Sequence, residues 1–115
     1  MSESGGETVG GGGEHAVIAR YRLAQEGFGE PGDRAAVREV ARVVADAVGR
    51  AGAGEFDGNE FGGGEAVLYA YGPDADALFA VMEAALRGLP FRPAHVILRY
   101  GSAADPTAAQ VRLDL

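Results

Sequence analysis

Cysteine is missing from this 115-residue chain, which removes both a thiol nucleophile and a disulfide framework. Lysine is missing too. All ten basic residues are arginine, and with abundant alanine and glycine this reads as a GC-rich coding bias rather than a selection for phosphate. Serine is scarce: Ser2, Ser4 and Ser102 are the only three, and none adjoins His15 or His95, the only histidines. The raw material for a Ser-His-Asp triad is therefore thin, and each histidine is expected to have a structural or incidental role. No apolar run approaches the ~20 residues needed to cross a bilayer. The N-terminus carries neither the basic region nor the apolar core of a signal peptide. A cytoplasmic protein without membrane contact is the expectation. Positive charge is outweighed, leaving a formal net charge of −7. Such a surface repels nucleic acid and anionic lipid over a Debye length and favours basic protein partners.

What is present is organised simply. Residues 1–14 hold six glycines and three glutamates, with Val9 as the only branched apolar residue. That composition cannot bury enough surface to offset its ordering entropy, so a disordered tail is expected. The remaining ~100 residues suffice for one modest core without a metal or cofactor, and residues 15–115 are read as one domain. His15 to Leu23 alternates, with Val17, Ala19, Tyr21 and Leu23 opposite Ile18, Arg20 and Arg22, as a half-buried strand does. After a Gly27–Gly32 loop, Asp33 suits an N-cap, and Val37, Val40, Ala41, Val44 and Val48 recur at helical spacing. Arg42–Asp46 and Asp46–Arg50 are i,i+4 pairs on the opposite face.

A short strand is expected around Gly54 to Asp57, then a turn, then a second strand from Ala66 to Tyr71. Asp57-Gly58 suits a turn with positive φ, and the further glycines point to a loop longer than two residues. Gly72-Pro73-Asp74 signals a helix start, with proline in the first turn and Asp74 and Asp76 at the positive end of the dipole. Leu78, Met82, Ala85 and Leu86 form that helix's buried stripe before Gly88. Val96, Leu98 and Tyr100 mark a further strand, and Val111, Leu113 and Leu115 a closing one. The order β-α-β-β-α-β plus one C-terminal strand resembles the ferredoxin-like, or split βαβ, arrangement. That resemblance implies an α+β fold: an antiparallel sheet with two helices on one face and an extra C-terminal strand. It implies little about function.

Gly27-Phe28-Gly29-Glu30-Pro31-Gly32 has the spacing of a dinucleotide fingerprint. Pro31 offers no N–H, Glu30 would set negative charge beside the phosphates, and too little chain follows for a doubly wound sheet. It is a connector. Glu55, Asp57, Glu60 and Glu65 offer oxygen donors around a glycine-rich segment, but without EF-hand spacing. A solvated acidic hairpin tip that discourages edge association is the plainer reading. Tyr69 and Tyr71 share one strand face. Beside Arg20, Arg22 and Arg99 they could stack RNA bases if that face is open, although the acidic balance and the missing RNP pattern oppose it.

Locally, Glu55-Phe56-Asp57-Gly58 resembles the E-Y-D-G segment of the ribonuclease E inhibitor family, small acidic proteins that bind a nuclease, with Asn59 where that family has tryptophan. This resemblance implies an acidic protein-binding module. The functional expectation is a small non-enzymatic binding or regulatory domain that docks a basic protein partner. Its contact residues are placed at Glu55, Asp57, Asn59, Glu60, Tyr69 and Tyr71. A homodimer through the sheet face opposite the helices would hide Ile18 and Ile97. The alternatives are an enzyme or ligand protein using the hairpin carboxylates, and RNA binding on the sheet face.

Overall fold

Alternating apolar residues and glycine-marked turns build a five-stranded antiparallel sheet with two helices, an α+β fold, in a computed structural model that describes residues 14–115. The expected tail lies outside the described residues except for Glu14. The elements are β1 (His15–Arg22), α1 (Pro31–Ala51), β2 (Glu55–Gly62), β3 (Glu65–Gly72), α2 (Ala75–Gly88), β4 (Ala94–Arg99) and β5 (Gln110–Asp114). In space the strands run β2-β3-β1-β4-β5, every neighbour antiparallel. The longest alternations thus sit in the middle, and β2 and β5 form the edges.

The core lies between the sheet and both helices. Val17, Ala19 and Tyr21 of β1, Ala66, Leu68 and Ala70 of β3, and Val96 and Leu98 of β4 pack with Val37, Val44 and Val48 of α1 and Leu78, Met82 and Leu86 of α2. Each fully buried side chain of leucine size contributes ~1.5–3 kcal/mol. Most of the expected helix stripes are thereby realised, with Phe79 and Ala75 joining α2's buried side while Val40 and Ala85 are only half-buried.

Several local expectations are corrected. Helix α1 starts at Pro31 rather than after Asp33, because proline at the first position needs no N–H partner. Asp33 then acts one turn in, its carboxylate accepting from the Glu30 backbone N–H at 3.1 Å. Pro73 precedes the cap of α2 instead of entering its first turn. Asp74 is the N-cap, accepting from the N–H groups of Asp76 and Ala77 at 3.0 and 3.2 Å. Arg42 pairs with Glu39 rather than Asp46, while Asp46–Arg50 forms at 3.0 Å as expected. These exposed pairs contribute little.

The largest correction concerns the acidic segment. It is not a hairpin tip. β2 continues through Asp57 and Gly58 to Gly62, and the turn is the two-residue Gly63-Gly64, with φ of 58° and 79°. Two consecutive positive φ values define the tight turn that matches strand twist. Asp57-Gly58 instead makes a bulge, where the register against β3 shifts between Phe56 and Gly58. A bulge and carboxylates on an edge strand both resist pairing with another chain.

Tyr21 ties sheet to helix. Its ring is fully buried and its hydroxyl donates to the Leu86 carbonyl at 2.7 Å. Burial pushes the phenol's pKa well above its ordinary value of 10.0, only partly offset by Arg92. Above pH 10 the unfolded chain therefore releases this proton while the native state retains it. The phenol's contribution is complete below pH 10 and declines as pH climbs beyond it. Tyr21→Phe is expected to lower stability by about 1–3 kcal/mol at neutral pH, since the Leu86 carbonyl loses its donor, and to flatten the alkaline decline. Thermal melts of both proteins between pH 8 and about 11.5 read this out; parallel curves would contradict it.

Candidate functional site

Period-2 geometry sends every second residue of the central strands away from the helices. The register assembles them into three rows across the uncovered face. The first runs Glu55, Tyr71, Ala16, Arg99, Gln110 from β2 to β5. The second runs Gly58, Tyr69, Ile18, Ile97, Arg112, and the third Glu60, Val67, Arg20, His95, Asp114. Among the described residues no helix packs on this side: α1 and α2 meet the sheet through the core.

The face has an apolar and aromatic centre. Ile18, Ile97, Tyr69 and Tyr71 are half-buried, while Ala16 is fully shielded and Val67 only 7% exposed. Charge is divided across it. Glu55 and Glu60 stand on β2 and Arg99 on β4, while β5 carries Arg112 and Asp114, paired with each other at 3.6 Å. Between them Arg20 and Arg22 reach Glu65 at 3.5 and 3.3 Å.

The expected contact residues divide between the two faces. Tyr69 and Tyr71 lie on the open face, which decides the question their alternation left open. Glu55 sits beside Tyr71, and Glu60 accepts from the Tyr69 hydroxyl at 3.1 Å. Burial, then this bond and the Glu60 charge, raise the Tyr69 phenol's pKa. Asn59, opposite Leu68, belongs to the helix side, and Asp57 is the extra residue of the bulge. The carboxylates are thus strung along an edge strand. Among the described residues no three His, Asp or Glu side chains are grouped to hold a metal ion.

His95 joins the face on β4, its pKa lowered first by burial and then by the positive charge of Arg112 and Arg20. His15 is elsewhere: its Nδ1 accepts from the Ala75 N–H at 3.0 Å, at the start of α2, and its ring meets Tyr100 edge-on at 5.7 Å. Tyr100 in turn donates to Asp76 at 2.6 Å. These contacts tie the start of β1 to the start of α2.

The depressions among the described residues include two near the ends of the strands. One of about 550 Å³ lies at the end of β1 and includes Arg22 and Arg92. Arg22 donates there to the carbonyls of Ala24 and Gly63, and Arg92 to those of Leu89 and Phe91, so both guanidinium groups anchor loops. The other, about 270 Å³, is bounded by Tyr71 and Arg99 on the open face. Sequence reasoning missed Arg112 and Gly58 as members of this face. The alternation of β5 carried the first signal, but Gly58 enters only through the bulge.

Comparison with protein-family models, with curated proteins and with solved structures returned no significant match. The likeness of Glu55-Phe56-Asp57-Gly58 to the ribonuclease E inhibitors therefore stays confined to that segment.

Proposed function

We propose that this chain is a small non-enzymatic binding domain whose contact surface is the open face of the sheet. The observation that carries this reading is the half-buried Ile18, Ile97, Tyr69 and Tyr71 gathered on the side without helices, bordered by charge. Aromatic and aliphatic side chains inside a polar rim are the usual composition of a contact surface. The strand order, with β3 between β1 and β2 and both helices on one core, supports a ferredoxin-like arrangement extended by β5. A net charge of −7 favours a basic protein partner.

Tyr69 and Tyr71 beside Arg20 and Arg99 also fit a base-stacking surface, the second reading. One experiment addresses both. A photo-crosslinking residue at position 69 should capture a partner from native lysate, whereas one at the exposed Val43 on α1 should not. Ile18→Glu should abolish capture while changing stability by only about 1 kcal/mol, the span of strand propensities. Capture that survives Ile18→Glu overturns the reading. Capture lost on nuclease treatment assigns the face to RNA instead.

A further inference from the structure

We infer that the outer edge of β5 is an association site for a second copy of this chain, β5 pairing antiparallel with β5 about a two-fold axis perpendicular to the sheet. The inference goes beyond the open-face reading, since it uses the border of the sheet and leaves that face free. Among the described residues β5 touches no element but β4. The Tyr100 N–H donates to the Ala109 carbonyl and the Leu115 N–H to the Ala94 carbonyl, each at 2.9 Å, which fixes the hydrogen-bonded rungs between the two strands. Rungs alternate along an antiparallel ladder, so the N–H and C=O groups of Gln110, Arg112 and Asp114 point away from β4. Such a row is a template for another strand. The opposite edge, β2, is blunted by its bulge and carboxylates, whereas β5 contains no bulge, glycine or proline.

The β5 edge complements itself. Setting Leu113 opposite Leu113 of the second copy places Arg112 opposite Asp114, Asp114 opposite Arg112, and Val111 and Leu115 opposite one another. Alternation keeps the three apolar residues on the helix side, where Val111 is 43% exposed, and the two charged residues on the open face. Arg112 already lies 3.6 Å from its own Asp114, and the second copy extends that pair rather than competing with it. Four charges then alternate in sign around a rectangle. Opposite charges occupy its sides, about 5 Å across the strands and about 7 Å along them, while like charges take the longer diagonals. Directly behind Arg112 and Asp114 on β4 stand Ile97 and His95, not a guanidinium or carboxylate. The symmetric register centred on Arg112 sets arginine on arginine. The one centred on Val111 leaves Leu113 and Asp114 opposite Ala109 and Ala108, without ion pairs.

The chain has no cysteine, so single cysteines read the register under mild oxidation. Leu113 faces its own copy with Cα atoms about 4.5 Å apart, within disulfide reach. Val111, the more exposed of the two, lies about 13 Å along the strand from its own copy. Leu113→Cys is expected to give a disulfide dimer and Val111→Cys not; equal or reversed yields, as random collision produces, overturn the inference. Sedimentation velocity gives the second measurement. Arg112→Asp alone and Asp114→Arg alone should each weaken self-association at least about tenfold. An equimolar mixture of the two should recover it, since every reversed position then meets its complement although both chains stay net negative. Unfolded variants could not produce that recovery. A chain monomeric at about 1 mM, or a mixture that gains nothing, overturns the inference. If Ile18→Glu abolishes the dimer, association runs through the open face, and this inference falls while the open-face reading stands. If capture at position 69 fails while the mixture recovers, the open-face reading falls and this one stands.

Discussion

Gly54→Ala is expected to leave the chain unable to complete its sheet, with a loss of several kcal/mol from a total of about 5–15 for a domain of this kind. Gly54 has φ of +153°, a region L-residues rarely enter. An added Cβ would enter the van der Waals shell of the Tyr71 carbonyl oxygen and lie 2.9 Å from the Gly72 Cα. Both obstacles are backbone, so no rotamer change relieves them. Tyr71 is also the partner of Glu55, where β2 begins. Relief therefore means separating β2 from β3 and dismantling one border of the open face. Gly58→Ala is the informative control. It also has positive φ, +116°, yet a Cβ there meets nothing within 4 Å, so about 1–3 kcal/mol of backbone strain is its full cost. Urea denaturation followed by circular dichroism compares the two, and equal midpoints would contradict the account.

Leu68→Ala should cost about 2–5 kcal/mol, as buried leucine truncations do. Leu68 is fully buried in the middle of β3, between Ala19 of β1 and Asn59 of β2, and it faces both helices. Its small neighbour Ala19 cannot fill the space vacated, so the cavity persists. Val43→Ala removes a similar kind of group from the outer side of α1, where Val43 is 48% exposed. Alanine's better helix propensity makes that change neutral or slightly stabilising. A Leu68→Ala midpoint close to that of Val43→Ala would show that the core is not where these strands place it.

The same contrast separates folding from binding. Leu68 and Ile18 are apolar residues on neighbouring central strands, but they face opposite ways. Truncating the first should destabilise the monomer. Charging the second should leave the monomer folded and remove whatever the open face holds. Stability and association measured on the same pair of variants thus report on the two sides of one sheet.

Local pattern alone specified a good deal. The alternation in β1 separates Val17, Ala19 and Tyr21 from Ile18 and Arg20 whatever they later touch, because a strand's side chains must diverge. The two amphipathic helices were legible for similar reasons, while the antiparallel sheet was what the ferredoxin-like resemblance implied. The acidic segment was not. Glycine and carboxylates have low strand propensity, so Gly58 to Gly62 reads as a loop until β3 supplies the hydrogen-bonding partner that holds it extended.

The primary structure by itself determined which residues share a face within each strand, and which side of each helix is apolar. Only the tertiary structure decided that Glu55 and Glu60 stand across the sheet from Arg112, with Gly58 between them and an uncovered apolar strip in the middle. Periodicity is a property of one segment. Register and strand order arise from pairing between segments distant in the chain, and the order β2-β3-β1-β4-β5 brings those charges onto one surface.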